Sequence, residues 1–190
     1  TPDGRHGMRP DYPSIVYSKI LKQLFPDVPV VLGGIEASLR RLTHYDYWED
    51  KLKKCILCES GADIILYGMG EKNTLQLCRE LENGRSIKDV KDIPQTVYLA
   101  KKEDIPGGIT DTDIVLHSHE ECLRNKKEQA ENFRHIEEES NKMHAQRLIQ
   151  GVDHQFAVVN PPYPPMTTEE LDAAFDLPYT RMPHPKYKGK

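Results

Sequence analysis

Two short apolar runs constrain this chain more than anything else in it. Val28, Pro29, Val30, Val31, Leu32 and then Ile64 to Tyr67 are almost wholly apolar and rich in β-branched residues, and each stops at a glycine loop, Gly33 with Gly34 and Gly68 with Gly70. A strand with no polar alternation needs cover on both faces, which is the environment of a parallel strand in an α/β layer. Ahead of the first run, Pro13 is a good first helical residue, and Val16, Ile20 and Leu24 recur at intervals of four, so one amphipathic helix is predicted to end near Phe25 and Pro26. Behind the second run, Glu71 opens a helix with Leu75, Cys78 and Leu81 on one stripe, ending at Gly84.

Between these steps a helix is predicted from about Tyr47 to Glu59, with Trp48, Leu52 and Cys55 on one face and Gly61 as its cap. Past Gly84 the pattern gives a helical turn at Ile87 to Val90 and strands at Thr96 to Ala100 and Ile114 to Leu116. Glu120 to Gln150 is charged and free of proline and glycine, and reads as one long, exposed helix. A lone strand at Phe156 to Val159 then meets the extended Asn160 to Pro165, and Thr167 with Glu170 forms a capping box. Two strong strands are too few for a doubly wound sheet, so further strands are expected before Thr1, with the Val28 to Leu32 edge unpaired and prone to self-association without them. The start at Thr1 and the Lys-rich end have the look of cut ends.

In 190 residues, 37% hydrophobic and 29% charged content with a mean hydropathy of -0.66 allows one compact core at most. The net charge of -4 is spread along the chain, which gives no strong nucleic-acid signal. Without an apolar run long enough to span a bilayer or a basic-then-apolar leader, no membrane is expected and a cytoplasmic location is. The four cysteines are read as reduced thiols. Cys55 and Cys58 form a CxxC that could hold zinc or exchange disulfides, but with no second pair at ligand spacing they are taken as packing thiols, and His117 and His119 as surface histidines.

Ligands of open α/β sheets bind beyond the carboxyl ends of the strands, which both glycine loops occupy. Their glycines permit close approach to a ligand or simply a tight turn, and neither loop matches GxGxxG or a P-loop. The stretch after the first loop could line a cofactor or a domain interface; alternatively, Glu36 pairs with Arg40 while the aromatics pack beneath. The candidate ligand- or interface-lining residues are Gly33, Gly34, Glu36, Arg40, Arg41, His44, Asp46, Gly68, Gly70 and Glu71. No catalytic residue and no metal ligand is assigned.

Particular strings add to this. RPDYPSIVY (9–17), PVVLGGIEASLRRLTHYDYW (29–48), DIILYGMGE (63–71), VVNPP (158–162) and TTEELDAAFDLPYTRMPHP (167–185) closely resemble the YgiQ family of radical S-adenosylmethionine proteins. The resemblance covers nearly the whole chain, least distinctively at 101–155. It implies a cobalamin-binding-type Rossmann region followed by a radical S-adenosylmethionine barrel, whose CxxxCxxC motif ligates a 4Fe–4S cluster that cleaves S-adenosylmethionine to a 5′-deoxyadenosyl radical. The four cysteines here do not fit CxxxCxxC, which in the family would follow shortly after His184, Pro185, Lys186 and Tyr187. DxHxxG, the usual mark of a cobalamin domain, is also missing, since Asp3 and His6 have the wrong spacing, and cobalamin binding is not predicted.

The expected fold is therefore α/β, a partial Rossmann-like open parallel sheet with flanking helices, then a long helix and a Pro-rich lead-in to a barrel. Its expected parts are 1–100, the later part of the Rossmann-like domain; 101–155, a turn, strand and long charged helix; and 156–190, a strand and the lead-in. The expected role is accessory and not catalytic by itself. The cluster and S-adenosylmethionine belong to the full-length protein, with the protein's own C-terminal barrel and an unknown small or macromolecular substrate as partners. The other class of reading is a non-catalytic protein- or ligand-binding module that uses the long helix as a partner surface.

Overall fold

The apolar runs become strands, and more of the chain joins them than their pattern announces. A computed structural model describes residues 5–183 and 185–187; Thr1, Asp3, His184 and the final lysines lie outside the described residues. The elements in order are α1 (Pro13–Leu24), β1 (Val31–Leu32), α2 (Gly34–Leu39), β2 (His44–Asp46), β3 (Lys51–Lys53), α3 (Ile56–Ser60), β4 (Ile64–Leu66) and α4 (Glu71–Glu82). There follow β5 (Thr96–Ala100), β6 (Ile114–Leu116), α5 (His119–Arg124), α6 (Lys126–Ser140), β7 (Leu148–Val152), β8 (Gln155–Val159) and α7 (Thr168–Phe175).

Six strands make one sheet in the order β1-β4-β5-β8-β7-β6, and β2 pairs with β3 in a separate hairpin. The sheet is mixed. β1–β4 is parallel, as expected, and so is β6–β7, whose second strand was not anticipated, but β4–β5, β5–β8 and β7–β8 are antiparallel. The two-residue connection from Val152 to Gln155 admits only an antiparallel pair. The described residues thus supply six strands to this sheet, a usual number for one, where the sequence pattern announced two strong ones. The short β1 is nonetheless an edge strand, as expected.

Strand alternation sorts the core onto two faces. Ile65, Val97, Leu148, Ala157 and Val159 face Ile56 and Leu57 of α3 and Ile15 of α1. Ile64 and Leu66 meet Leu77 of α4, Val90 and Ile93 on the other face, where Tyr98, Ile149 and Val158 pack with Ile105.

Several expectations need correction. α1 buries Ile15 and Ser18, leaving Ile20 and Leu24 of the anticipated stripe exposed. Likewise α4 buries Asn73 and Leu77 and exposes Leu75 and Cys78. The helix expected from Tyr47 to Glu59 is instead the β2–β3 hairpin followed by the single turn of α3. There Asp46 accepts the Glu49 N–H at 2.9 Å and Asp50 takes φ 50, so turn chemistry overrides the helical spacing. The long helix is broken at Asn125, whose extended backbone and side chain cap α6 by accepting the Lys127 N–H at 3.1 Å. Past Ser140 the chain leaves the helix altogether and returns as β7, and the strand at Phe156 to Val159 is paired on both sides.

Candidate functional site

β1, β4 and β8 run in one direction, so their carboxyl ends share a rim with the amino ends of β5 and β7. Gly33, Gly34 and Gly68 lie on this rim, as expected. Gly34 and Gly68 hold φ +77 and +68, and a Cβ at Gly68 would stand 3.2 Å from Nε2 of Gln95. Gln95 is the clasp of the rim. Its Nε2 donates to Tyr67 O at 2.8 Å and to Met69 O, its backbone N–H donates to Pro161 O at 2.8 Å, and its carbonyl accepts Asn73 Nδ2 at 2.8 Å. Asn160 completes it: its Nδ2 lies 3.0, 2.9 and 3.0 Å from Lys91 O, Ile93 O and Thr96 Oγ1, and its carbonyl accepts the Tyr67 hydroxyl at 2.6 Å. A groove of about 240 Å³ lined by Tyr67, Gly68, Gln95, Lys72 and Tyr163 lies over this rim.

α2 divides the expected site into two. Glu36 and Arg40 turn toward α1: Glu36 accepts Ser14 Oγ at 2.6 Å and pairs with Arg40 at 3.2 Å, the pairing expected from their spacing. Arg40 also stands 3.6 Å from Asp46 and 5.5 Å from the Tyr12 ring centre. Tyr12, which the sequence did not single out, donates to Asp46 at 2.9 Å. Burial alone would raise the Asp46 pKa, but the Glu49 N–H, the Tyr12 hydroxyl and the Lys53 and Arg40 charges outweigh it and hold this carboxyl below its usual range. Burial and the bond to Asp46 push the Tyr12 phenol up. A cleft of about 810 Å³ opens here between Arg9, Tyr12, Glu36, Arg40 and Trp48. The aromatics do not pack beneath it: Trp48 is 82% exposed and Tyr47 78%.

Arg41 turns the other way, over the ring of Tyr67 at 5.1 Å. His44 contacts Leu42 O through Nδ1 at 3.1 Å, and burial lowers its pKa. Gly70 and Glu71 start α4 beside the rim, with Glu71 exposed. The structure therefore brings Glu36, Arg40 and Asp46 together, places Arg41, Gly68 and Gly70 on the rim, and joins neither group to His44. Gln95, Asn73 and Asn160 carried no sequence signal beyond the turn-forming prolines beside Gln95 and Asn160.

A family model described as Radical SAM N-terminal matches residues 1–190. The chain belongs to the Radical SAM N-terminal family. Among its relatives, a UPF0313 protein of Bacteroides thetaiotaomicron is 60% identical over all of this chain and 32% of its own length. UPF0313 proteins of Porphyromonas gingivalis and Methanocella arvoryzae are 57% and 41% identical, over 100% and 99% of this chain and 30% and 31% of their own lengths. The chain thus spans about a third of the length of the curated relatives it matches. UPF0313 is the family that the YgiQ name denotes. No solved structure matches the chain.

The thiols of this Radical SAM N-terminal chain do not fit a cluster. Cys55 is buried and Cys58 half-buried at the start of α3, Cys78 is exposed on α4, and Cys122 is buried within 3.2 Å of Asn132 Nδ2. Among the described residues no three cysteines converge. The convergent group is His117, Glu128 and Glu131, in which each ring nitrogen already faces a carboxylate, at 2.6 and 2.9 Å. His119, expected at the surface, is only 3% exposed and meets Thr43 Oγ1 at 3.1 Å. Beside it, buried Gln150 accepts the Thr43 N–H at 2.8 Å and donates to His117 O at 3.0 Å, which ties the loop after α2 to β7. Among the described residues no helix is long and apolar enough to cross a membrane.

Proposed function

We propose that this chain is an accessory α/β region of a cytoplasmic radical S-adenosylmethionine iron–sulfur protein and performs no chemistry alone. The observation that carries the reading is the whole-length family match in a chain a third as long as its relatives. The cluster and S-adenosylmethionine belong to the remaining length, a barrel reached through the Pro-rich segment after β8. The two parallel strands β1 and β4, with the crossover between them, are the Rossmann-like remnant of a cobalamin-type domain.

Uncovered apolar surface supports this division. Ile20 and Leu24 of α1 are exposed, and Ile35 and Leu39 of α2 are 82% and 71% exposed next to the rim. Surface of this kind is typical of an interface. The rim and the α2 stretch face the mouth of the barrel, where they exclude solvent and contact an unknown substrate. The site chemistry agrees. Asp46 is held below its usual range and Tyr12 is pushed up, so both are moved away from neutral pH.

The test is anaerobic reconstitution with iron and sulfide of this chain and of the full-length protein, then dithionite reduction and assay for 5′-deoxyadenosine. Cluster and product in the full-length protein alone are expected. A cluster or cleavage in this chain would overturn the reading.

A further inference from the structure

The CxxC of Cys55 and Cys58 has no part in the accessory role, yet the fold brings its two thiols together. Cys55 is the N-cap of α3 and Cys58 its third helical residue, the two positions whose side chains meet in a capping box. The Cys58 N–H donates to Cys55 O at 2.9 Å, and a turn closed from residue i to i+3 keeps its Cα atoms within about 7 Å, close to the ~4.4–6.8 Å that a disulfide spans. The thiols contact each other. That contact is the main cause that raises Cys55, with burial adding to it, and the main cause that lowers Cys58.

Their surroundings differ. Cys55 is 1% exposed and packs in the core with Ile56 and Leu57, whereas half-buried Cys58 lines a cleft of about 480 Å³ with Lys53, Lys54, Glu59, His119 and Asp153. A cleft of this size admits a small molecule. A thiolate is the form that attacks a disulfide, so the thiol that faces the cleft is also the one lowered, with Lys54 favouring its charged form and Asp153 opposing it. A closed metal site needs further ligands, and among the described residues no third thiol, imidazole or carboxylate converges on the pair.

We infer that Cys55 and Cys58 are a dithiol–disulfide pair that exchanges with a low-molecular-weight disulfide, with Cys58 attacking and Cys55 resolving. The Cys58 thiolate bonds to one sulfur of the small disulfide and expels the other half as a thiolate. Cys55 then gives up its proton and attacks the Cys58 sulfur; the bond to the adduct breaks, its second half leaves as a thiol, and the Cys55–Cys58 bond forms. Two protein thiols are oxidised and one small disulfide is reduced to two thiols. Only Cys58 has to be reached from the cleft, because the second step is internal. The inference stands apart from the accessory reading, since it concerns bonds within this chain.

The test holds full-length protein anaerobically in mixtures of reduced and oxidised glutathione, quenches with acid, alkylates and digests with trypsin. The peptide from Cys55 to Lys72 holds these two cysteines and no other, so thiols elsewhere do not obscure it. As the oxidised share rises, this peptide is expected to pass from doubly alkylated to unalkylated and two hydrogens lighter, and to return with excess dithiothreitol. Exposed Cys78, in the next peptide, takes up glutathione and shows that the oxidant is active. Cys55→Ser is expected to trap glutathione on Cys58 about tenfold faster than Cys58→Ser traps it on Cys55, an asymmetry that an unfolded chain lacks. A peptide that stays doubly alkylated while Cys78 is modified would overturn the proposal, as would glutathione retained on wild-type Cys58 without ring closure, or equal trapping in the two variants. Should a variant fail to fold, the wild-type titration decides.

Discussion

The rim of the sheet and the cleft beside α1 are both polar and both gathered by long-range contacts, but different physics holds them. At the rim the work is done by neutral amides, Gln95, Asn73 and Asn160, hydrogen-bonded chiefly to backbone carbonyls. In the cleft it is done by charges, with Asp46 between the Tyr12 hydroxyl and Arg40, and Lys53 4.1 Å from the Tyr12 ring centre. Saturated neutral networks are rigid and indifferent to pH and salt, whereas charged ones respond to both. The comparison therefore assigns positioning to the rim and responsiveness to the cleft.

The strongest way to break it is Asn160→Ala. Three acceptors lose their common donor in a buried place, so a loss of about 3 kcal/mol is expected in urea unfolding, with no dependence on pH between 5 and 8. A loss below ~1 kcal/mol would mean that water or a shifted Gln95 replaces the clasp. Gly68→Ala comes next. It would place a side chain at φ +68 with its Cβ 3.2 Å from Gln95 Nε2, for an expected cost of about 1–2 kcal/mol. Removing the clashing amide in Gln95→Ala should make the second substitution cheaper than it is in the wild type, and simple additivity of the two would show that they do not communicate.

The charged cleft is probed by acid. The Asp46 carboxyl is held below the usual value of 3.8, so its contribution to stability is complete above that pH and is lost as pH falls through the lower, folded-state pKa. His44 and His119, lowered by burial, act in the same direction from a higher starting point: their contribution is full above the usual 6.5 and falls as the unfolded chain takes up protons below it. Asp46→Asn is expected to flatten the melting curve against pH below about 4 without altering the limb near 6.5. Unchanged slopes in that variant would take the pH response away from the cleft.

What the sequence disclosed follows the same division. Strands such as β4 and β5 and the capping box of Thr167 with Glu170 are local events, set by β-branched runs and by side-chain oxygen three residues from an N–H, and they stand where the pattern puts them. The Glu36–Arg40 pair is equally local. The hairpin at Asp46 and the break at Asn125 are also local, but there one short polar side chain outweighs a longer helical periodicity. β7 was illegible for another reason. Gln150 and Gly151 look like surface residues until Thr43, more than a hundred positions earlier, supplies the partner for the buried amide. The rim clasp has the same character, since Gln95 and Asn160 acquire meaning only when β5 and β8 lie side by side.

The smallest effect is expected where charges meet in open water. Lys54 Nζ lies 2.6 and 2.8 Å from the two oxygens of Asp153, linking the end of the β2–β3 hairpin to the turn between β7 and β8. Both side chains are well exposed, 36% and 46%, so attraction is opposed by solvation and by the entropy of two ordered side chains. Lys54→Met should cost under about 1 kcal/mol at low salt, and the difference should vanish near 1 M salt, where the screening length is ~3 Å. Urea unfolding at both ionic strengths checks this. A penalty that survives high salt would show that the lysine stem packs on the hairpin. The line between the neutral amide clasp and the responsive charged cleft would then have to be drawn by burial instead of by charge.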